Sequence, residues 1–119
     1  MRLSKKINYQ KLIYSCDIGL STVMVQTKVL KKFHFPKLKT KEDFVLWLKI
    51  TKKLKCDIFP LNKVLTIWNK SENSLSSNNL QKFKDGYKVY NKYCNFNFIK
   101  YLFYLSILSF NFITKKKWI

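Results

Sequence analysis

The 119 residues include one arginine, one histidine, two glycines, two prolines and six carboxylates. Each scarcity excludes something. With so little glycine and proline, most of the chain is expected in regular structure rather than loop. Gly19 and Gly86 are too far apart to build a glycine-rich phosphate loop, and no two aspartates stand close enough to form an Asp-x-Asp pair. Cys16, Cys56 and Cys94 are odd in number, widely spread and form no Cys-x-x-Cys pair, so they support neither a disulfide framework nor a zinc site. A reducing, cytoplasmic setting fits them best. The first 30 residues carry no signal-peptide pattern, because Lys5-Lys6 leads into Ile7-Asn-Tyr-Gln-Lys11 instead of an apolar run. Arg2 is the sole arginine, so the planar fork that reads guanine edges or grips phosphate bidentately is nearly missing, which argues against specific nucleic-acid recognition.

What the chain does hold is lysine and apolar bulk. Lys and Arg number 24 against six acids, a formal charge of +18 that attracts any polyanion. An anionic membrane surface is the better-fitting partner, since it draws lysine without needing arginine's geometry. Wealth in Lys, Asn, Ile and Phe also fits an AT-rich genome, where Lys takes the place of Arg without functional meaning. The 47% hydrophobic content and the aromatics (Phe 10, Tyr 7, Trp 3) argue for a folded core despite the charge. The length suits one domain.

Tyr9, Leu12 and Ile13 lie at helical spacing after Asn8, so a short capped helix is expected over 8–15. Leu20 to Val25 is apolar and β-branched and reads as a buried strand. Thr27 can cap a brief helix reaching Phe33, and Pro36 ends that region. Thr40 with Asp43 three residues on resembles a capping box, followed by an apolar run from Phe44 to Ile50 that leaves little polar face and predicts a helix buried on most sides. Asp57 to Trp68 reads as extended, with Val64 to Trp68 an edge strand after a turn at Pro60 and Asn62. A helix is expected from Ser76 or Ser77 to Tyr93, carrying the stripe Leu80, Phe83, Tyr87, Tyr90 and Cys94 and tolerating Gly86 inside it at a cost of about 1 kcal/mol. Phe96 to Ile113 is apolar and aromatic, but Lys100 and two Asn make a full membrane span a poor fit. An in-plane helix with Trp118 and the terminal lysines at headgroup level, or a helix docked on a core, fits better. The division expected is 1–95 for the main unit and 96–119 for this apolar, basic helix and tail.

Glu42 and Asp43 are the only adjacent acids, and they open the apolar run. A carboxylate held at a helix start can accept a proton from a substrate hydroxyl, which makes Asp43 the candidate base and Glu42 its supporting neighbour. Asp43 can equally serve to satisfy backbone donors at the cap. His34, in Phe33-His-Phe-Pro36, reads as a loop or packing residue rather than a ligand.

Three stretches in order carry a resemblance: Cys16-Asp-Ile-Gly-Leu-Ser-Thr-Val-Met-Val25, Phe35-Pro-Lys-Leu-Lys-Thr-Lys-Glu-Asp-Phe-Val-Leu-Trp-Leu-Lys49 and Trp68-Asn-Lys-Ser-Glu-Asn-Ser-Leu-Ser-Ser-Asn78. Together they resemble the C-terminal half of bacterial family 2 glycosyltransferases, over roughly residues 5–110. The resemblance implies an α/β fold, the C-terminal portion of a GT-A fold, mostly helical here with two or three short strands. It also implies that Asp43 is the general base of an inverting transfer from a nucleotide sugar to a hydroxyl acceptor in cell-surface polysaccharide or lipopolysaccharide synthesis, with Glu42 beside it.

The family's N-terminal features are not in this sequence: a first strand, an Asp that reads the nucleotide base, and the Asp-x-Asp that holds metal and diphosphate. The chain is therefore expected to be an incomplete, inactive fragment that holds no cofactor or metal itself. A divalent cation (Mn or Mg), the nucleotide sugar and the glycan acceptor would engage only with a donor half. The alternative expectation is a small basic protein at a membrane surface, peripheral on its inner face, without catalytic activity.

Overall fold

The computed structural model of the protein describes residues 6–16, 18–61, 63–67, 69 and 79–116. Among these, five helices form: α1 (Tyr9–Ser15), α2 (Thr27–Leu30), α3 (Glu42–Leu54), α4 (Asn79–Lys88) and α5 (Phe98–Lys116). A 3-10 turn spans Leu20–Thr22, and a π-helical turn, Val89–Tyr93, continues α4.

α1 follows from its sequence. Asn8 is extended and its side chain accepts from the Lys11 amide, satisfying one of the donors a helix start leaves open. At the other end Cys16 turns left-handed at φ 46° and returns its N–H to the Leu12 carbonyl. Leu12 and Ile13 are buried, and α1 packs against both α3 and α5.

α3 is the centre of the core. Phe44, Val45, Leu46, Trp47, Leu48, Ile50 and Thr51 are all buried, as the apolar run, interrupted at Lys49, predicts. Thr51 satisfies its hydroxyl on the Trp47 carbonyl one turn back, at 2.8 Å. Lys52 and Lys53 sit in the last turn, where the macrodipole favours cations.

The expected strands do not form among the described residues. Leu20–Thr22 coils into the 3-10 turn, and Val23 to Gln26 is extended without a pairing partner. The period of two survives, since Val23 and Val25 pack on the core while Met24 points into solvent. Val64, Leu65 and Ile67 form no regular element and are exposed; Trp68 lies outside the described residues. β-Branched composition favours a pleated surface only where another strand supplies the hydrogen bonds, and here the ladder is a single antiparallel bridge. Ile7 and Ile58 exchange two N–H to carbonyl bonds of 2.8 Å. Thr27 opens α2 without being its cap: Gln26 holds that position, and the helix stops at Leu30.

α4 begins at Asn79; Ser76 and Ser77 lie outside the described residues. Its buried side also differs from the expected stripe. Asp85, Gly86, Val89 and Tyr90 face inward, whereas Leu80, Phe83 and Tyr87 stay partly or largely exposed. The last two still pack, with their rings edge-on to Tyr101 of α5 at 5.7 Å and 5.2 Å. Gly86 is where the Lys41 stem crosses α4, since an added Cβ there would stand 3.8 Å from Lys41 Cε. The wider π-helical turn then sets Val89 and Tyr90 side by side in the core.

α5 docks by one face. Tyr101 is buried, with Tyr104, Leu105 and Leu108 half-buried against the same core. Tyr104 stacks on Tyr14 of α1 at 4.9 Å. No helix among the described residues is long and apolar enough to cross a membrane. Trp118 and the end of the tail lie outside the described residues.

Candidate functional site

Glu42 and Asp43 occupy the first turn of α3, as the sequence indicates, and both are half-buried. The way the helix starts is different. Lys41, in the left-handed region at φ 63°, is the N-cap and offers no side-chain bond. For a residue with a Cβ that conformation costs about 1 kcal/mol, so the surroundings must hold it. They do so through the Lys41 stem lying over Gly86 and its ammonium 5.7 Å from the Phe44 ring centre.

The expected capping box between Thr40 and Asp43 is absent. Thr40 is pulled away by Asp85, a residue 45 positions later: the Thr40 amide and hydroxyl both donate to Asp85 Oδ2, at 3.0 Å and 2.9 Å. Asp43 instead accepts the Phe44 amide on Oδ1 at 2.8 Å. Asp43 and Glu42 are not among the residues that line the hollow beside Asp85. His34 is exposed in its loop. Glu72 and Asp17, within the motifs singled out above, lie outside the described residues.

Asp85 is the residue that sequence reasoning passed over. It is 1% exposed, and Gln81 Nε2 donates to the same Oδ2 at 3.0 Å. Oδ1 is buried without a hydrogen-bond partner, and the Lys88 ammonium stands 3.8 Å from it. Burial alone would push this carboxyl up, but the hydrogen bonds from Gln81 and Thr40, helped by Lys88, outweigh it and hold the group below the usual carboxylate range. One signal could have marked it: Asp85 is the only acid among Lys82, Lys84 and Lys88, one turn before the apolar Val89.

Because the folded-state value is depressed, the ionised carboxylate contributes stability that is complete above its ordinary value of ~4 and is lost as pH falls through the lower folded value. Asp85→Asn is expected to cost about 2 kcal/mol at neutral pH, since it weakens charge-assisted bonds to buried donors. The gap to the parent should close in strong acid, where the parent is protonated too. Urea unfolding at pH 7 and at pH values below 4 checks both parts. A gap that stays constant with pH would rule out this origin.

The other titrating groups in the core are structural. Burial raises the Tyr90 and Tyr101 hydroxyls and the Cys94 thiol, and burial with nearby Cys94 takes Tyr9 up to about 12. Among the described residues no group of three or more His, Cys, Asp or Glu is placed to hold a metal ion. What the α3 start offers chemically is an acid pair on a rigid helix, braced from behind by the Thr40–Asp85 bonds.

No protein-family model matches the chain, and no solved structure matches it. Curated proteins do. The chain is 34% identical over 85 residues to the Escherichia coli UDP-Glc:alpha-D-GlcNAc-diphosphoundecaprenol beta-1,3-glucosyltransferase WfgD, covering 71% of this chain and 33% of that protein. It is 28% identical over 115 residues to an uncharacterized glycosyltransferase of Haemophilus influenzae, covering 96% of this chain and 46% of the relative. A Bacillus subtilis protein named for teichuronic acid biosynthesis, the glycosyltransferase TuaG, is 26% identical over 96 residues, or 81% of this chain and 38% of its own length. The chain thus spans from a third to just under half of the length of these relatives. By sequence the chain is related to bacterial glycosyltransferases.

Proposed function

We propose that this chain is the acceptor-side part of an inverting, family 2 glycosyltransferase of GT-A fold, acting in cell-surface polysaccharide synthesis. The observation that carries the reading is the run of similarity to named glycosyltransferases. The match over 115 of 119 residues necessarily takes in the start of α3. In this reading Asp43 accepts the proton of an acceptor hydroxyl as that oxygen attacks the anomeric carbon of a nucleotide sugar. The nucleoside diphosphate leaves from the opposite side, so the configuration inverts in one displacement. Glu42 supports it, and the helix start fixes the pair in place. The acceptor class is a sugar carried on a lipid diphosphate, the kind of acceptor in the name of the Escherichia coli relative. The donor diphosphate and its divalent cation (Mn or Mg) would be held by residues that this sequence does not contain, because it has no Asp-x-Asp.

A segment exchange tests this. The 85-residue stretch of the Escherichia coli enzyme that matches this chain is replaced by the corresponding residues, and transfer of glucose from UDP-glucose to the lipid-linked acceptor is measured. Retained transfer is expected. A folded chimaera that binds UDP-glucose but transfers nothing would sink the reading.

A second reading, compatible with the first, rests on the outer face of α5. Ile99, Phe103 and Phe110 are 81%, 61% and 68% exposed and recur at helical spacing, an apolar stripe on a chain of charge +18. Such a face fits the surface of an anionic membrane, lying in the headgroup plane on its inner side. The chain is expected to float with phosphatidylglycerol-containing vesicles, and Ile99→Asp with Phe103→Asp to lower the bound fraction by about tenfold or more. Equal flotation of both proteins would remove the stripe from consideration.

A further inference from the structure

A hollow lies between the segment that leads into α3 and the side of α4 nearest to it. Lys37, Leu38 and Lys39 form one wall, and Gln81, Lys84, Asp85 and Lys88 the other, around about 530 Å³. The hollow is wide open to solvent rather than an enclosed cavity. One wall is a bent loop and the other a helix face. Lys37 and Lys39 are both exposed in a bent stretch, where the Leu38 amide donates to the Pro36 carbonyl at 2.9 Å, while Leu38 between them packs on the core. Gln81, Lys84, Asp85 and Lys88 are three and four apart, one face of a helix.

The charge of the hollow is unusual even for this chain. Lys and Arg make up 24 of 119 residues, so seven lining residues would carry one or two by composition. Four are present. Lys84 and Lys88 also stand four apart on one helix, where like charges cost stability. Asp85 offsets only part of this. Its Oδ2 is committed to Thr40 and Gln81, and its Oδ1 lies 3.8 Å from Lys88 alone. Four ammonium groups against one carboxylate leave three positive charges around a concavity, which calls for a compact, multiply charged anion.

We propose that this hollow binds the diphosphate group of a substrate. Lysine suits that role as a set of point charges converging on phosphate oxygens, where no bidentate fork is required. Lys39 is four residues from Asp43, so their Cα atoms are at most ~14 Å apart, although neither acid of the pair lines the hollow itself. Assigning the diphosphate to the lipid-linked acceptor rests on the acceptor-side reading above; the binding itself does not.

The test is calorimetric titration of the whole chain at about 150 mM salt, where general polycation attraction is largely screened. Inorganic pyrophosphate should bind, and the Lys37→Gln/Lys84→Gln double variant, one change on each wall, should weaken it by roughly tenfold. The Lys28→Gln/Lys53→Gln variant removes the same charge from exposed positions elsewhere and should bind like the parent. All four side chains are exposed, so only small shifts of the unfolding midpoint are expected, from the relieved Lys84–Lys88 repulsion and the lost Lys53 charge at the end of α3, and these are checked. Equal weakening by both variants, or by neither, overturns the proposal. Farnesyl diphosphate and UDP then separate the sources. Tighter, hollow-dependent binding of farnesyl diphosphate assigns the site to the acceptor, whereas preference for UDP keeps the site and refutes the acceptor-side reading.

Discussion

Tyr90→Ala should destabilise the protein by about 4 kcal/mol, the largest loss expected from any single truncation of this core. Tyr90 is 1% exposed and stands where α1, α3 and α5 meet the π-helical turn. Its ring stacks on Phe96 at 5.8 Å, meets Phe44 of α3 edge-on at 6.3 Å and lies 6.0 Å and 5.8 Å from Tyr101 and Tyr104 of α5. Its hydroxyl donates to the Ile13 carbonyl of α1 at 3.0 Å. Truncation removes the ring contacts and leaves a cavity that three helices cannot close without moving. Tyr90→Phe keeps the packing and forfeits only the hydroxyl bond, so about 1 kcal/mol is expected. Urea unfolding of both variants checks the ratio. If Tyr90→Ala costs no more than Tyr90→Phe, α5 does not dock on this core in solution.

Asp43→Asn is the second large effect. Introduced into the glucosyltransferase chimaera, it should lower the rate of transfer by roughly 10²- to 10⁴-fold, the span general-base catalysis supplies. The amide keeps the oxygen that accepts the Phe44 amide, so the first turn of α3 should persist. The loss should appear in kcat with little change in KM for UDP-glucose, because the acceptor-side reading has the donor bound by other residues. Asp85→Asn provides the contrast: it should reduce stability and, as a change in the lining of the hollow, alter KM for the lipid-linked acceptor more than kcat, since Asp85 reaches the acid pair only through Thr40. A chimaera that loses kcat with Asp85→Asn and keeps it with Asp43→Asn would move the base from the first turn of α3 to α4.

The two acids of α3 could be found in sequence because adjacency and the apolar run beside them are local properties. The surroundings that brace them could not. Thr40 and Asp85 are 45 residues apart, and nothing near Thr40 indicates that its hydroxyl will leave Asp43 for a carboxylate on another helix. The hollow was invisible for the same reason, since Lys37 and Lys39 reach Lys84 and Lys88 only after α3 and α4 pack. The stripe through Leu80, Phe83 and Tyr87 misled because alternation by three and four identifies an apolar side without saying which neighbour covers it; here that neighbour is the start of α5, which leaves much of the stripe open.

By itself the sequence determined whatever depends on contacts within a few residues: the Asn8 cap of α1, the buried apolar run of α3, the lack among the described residues of a helix long and apolar enough to cross a membrane, and an acid pair at a helix start. Only the tertiary structure decided what depends on distant partners. It left Val23 to Gln26 and Val64 to Ile67 without a ladder, because strand hydrogen bonds must come from another segment. It also moved the cap of α3 to Lys41, because a buried carboxylate from α4 binds the Thr40 donors more strongly than a short local loop can.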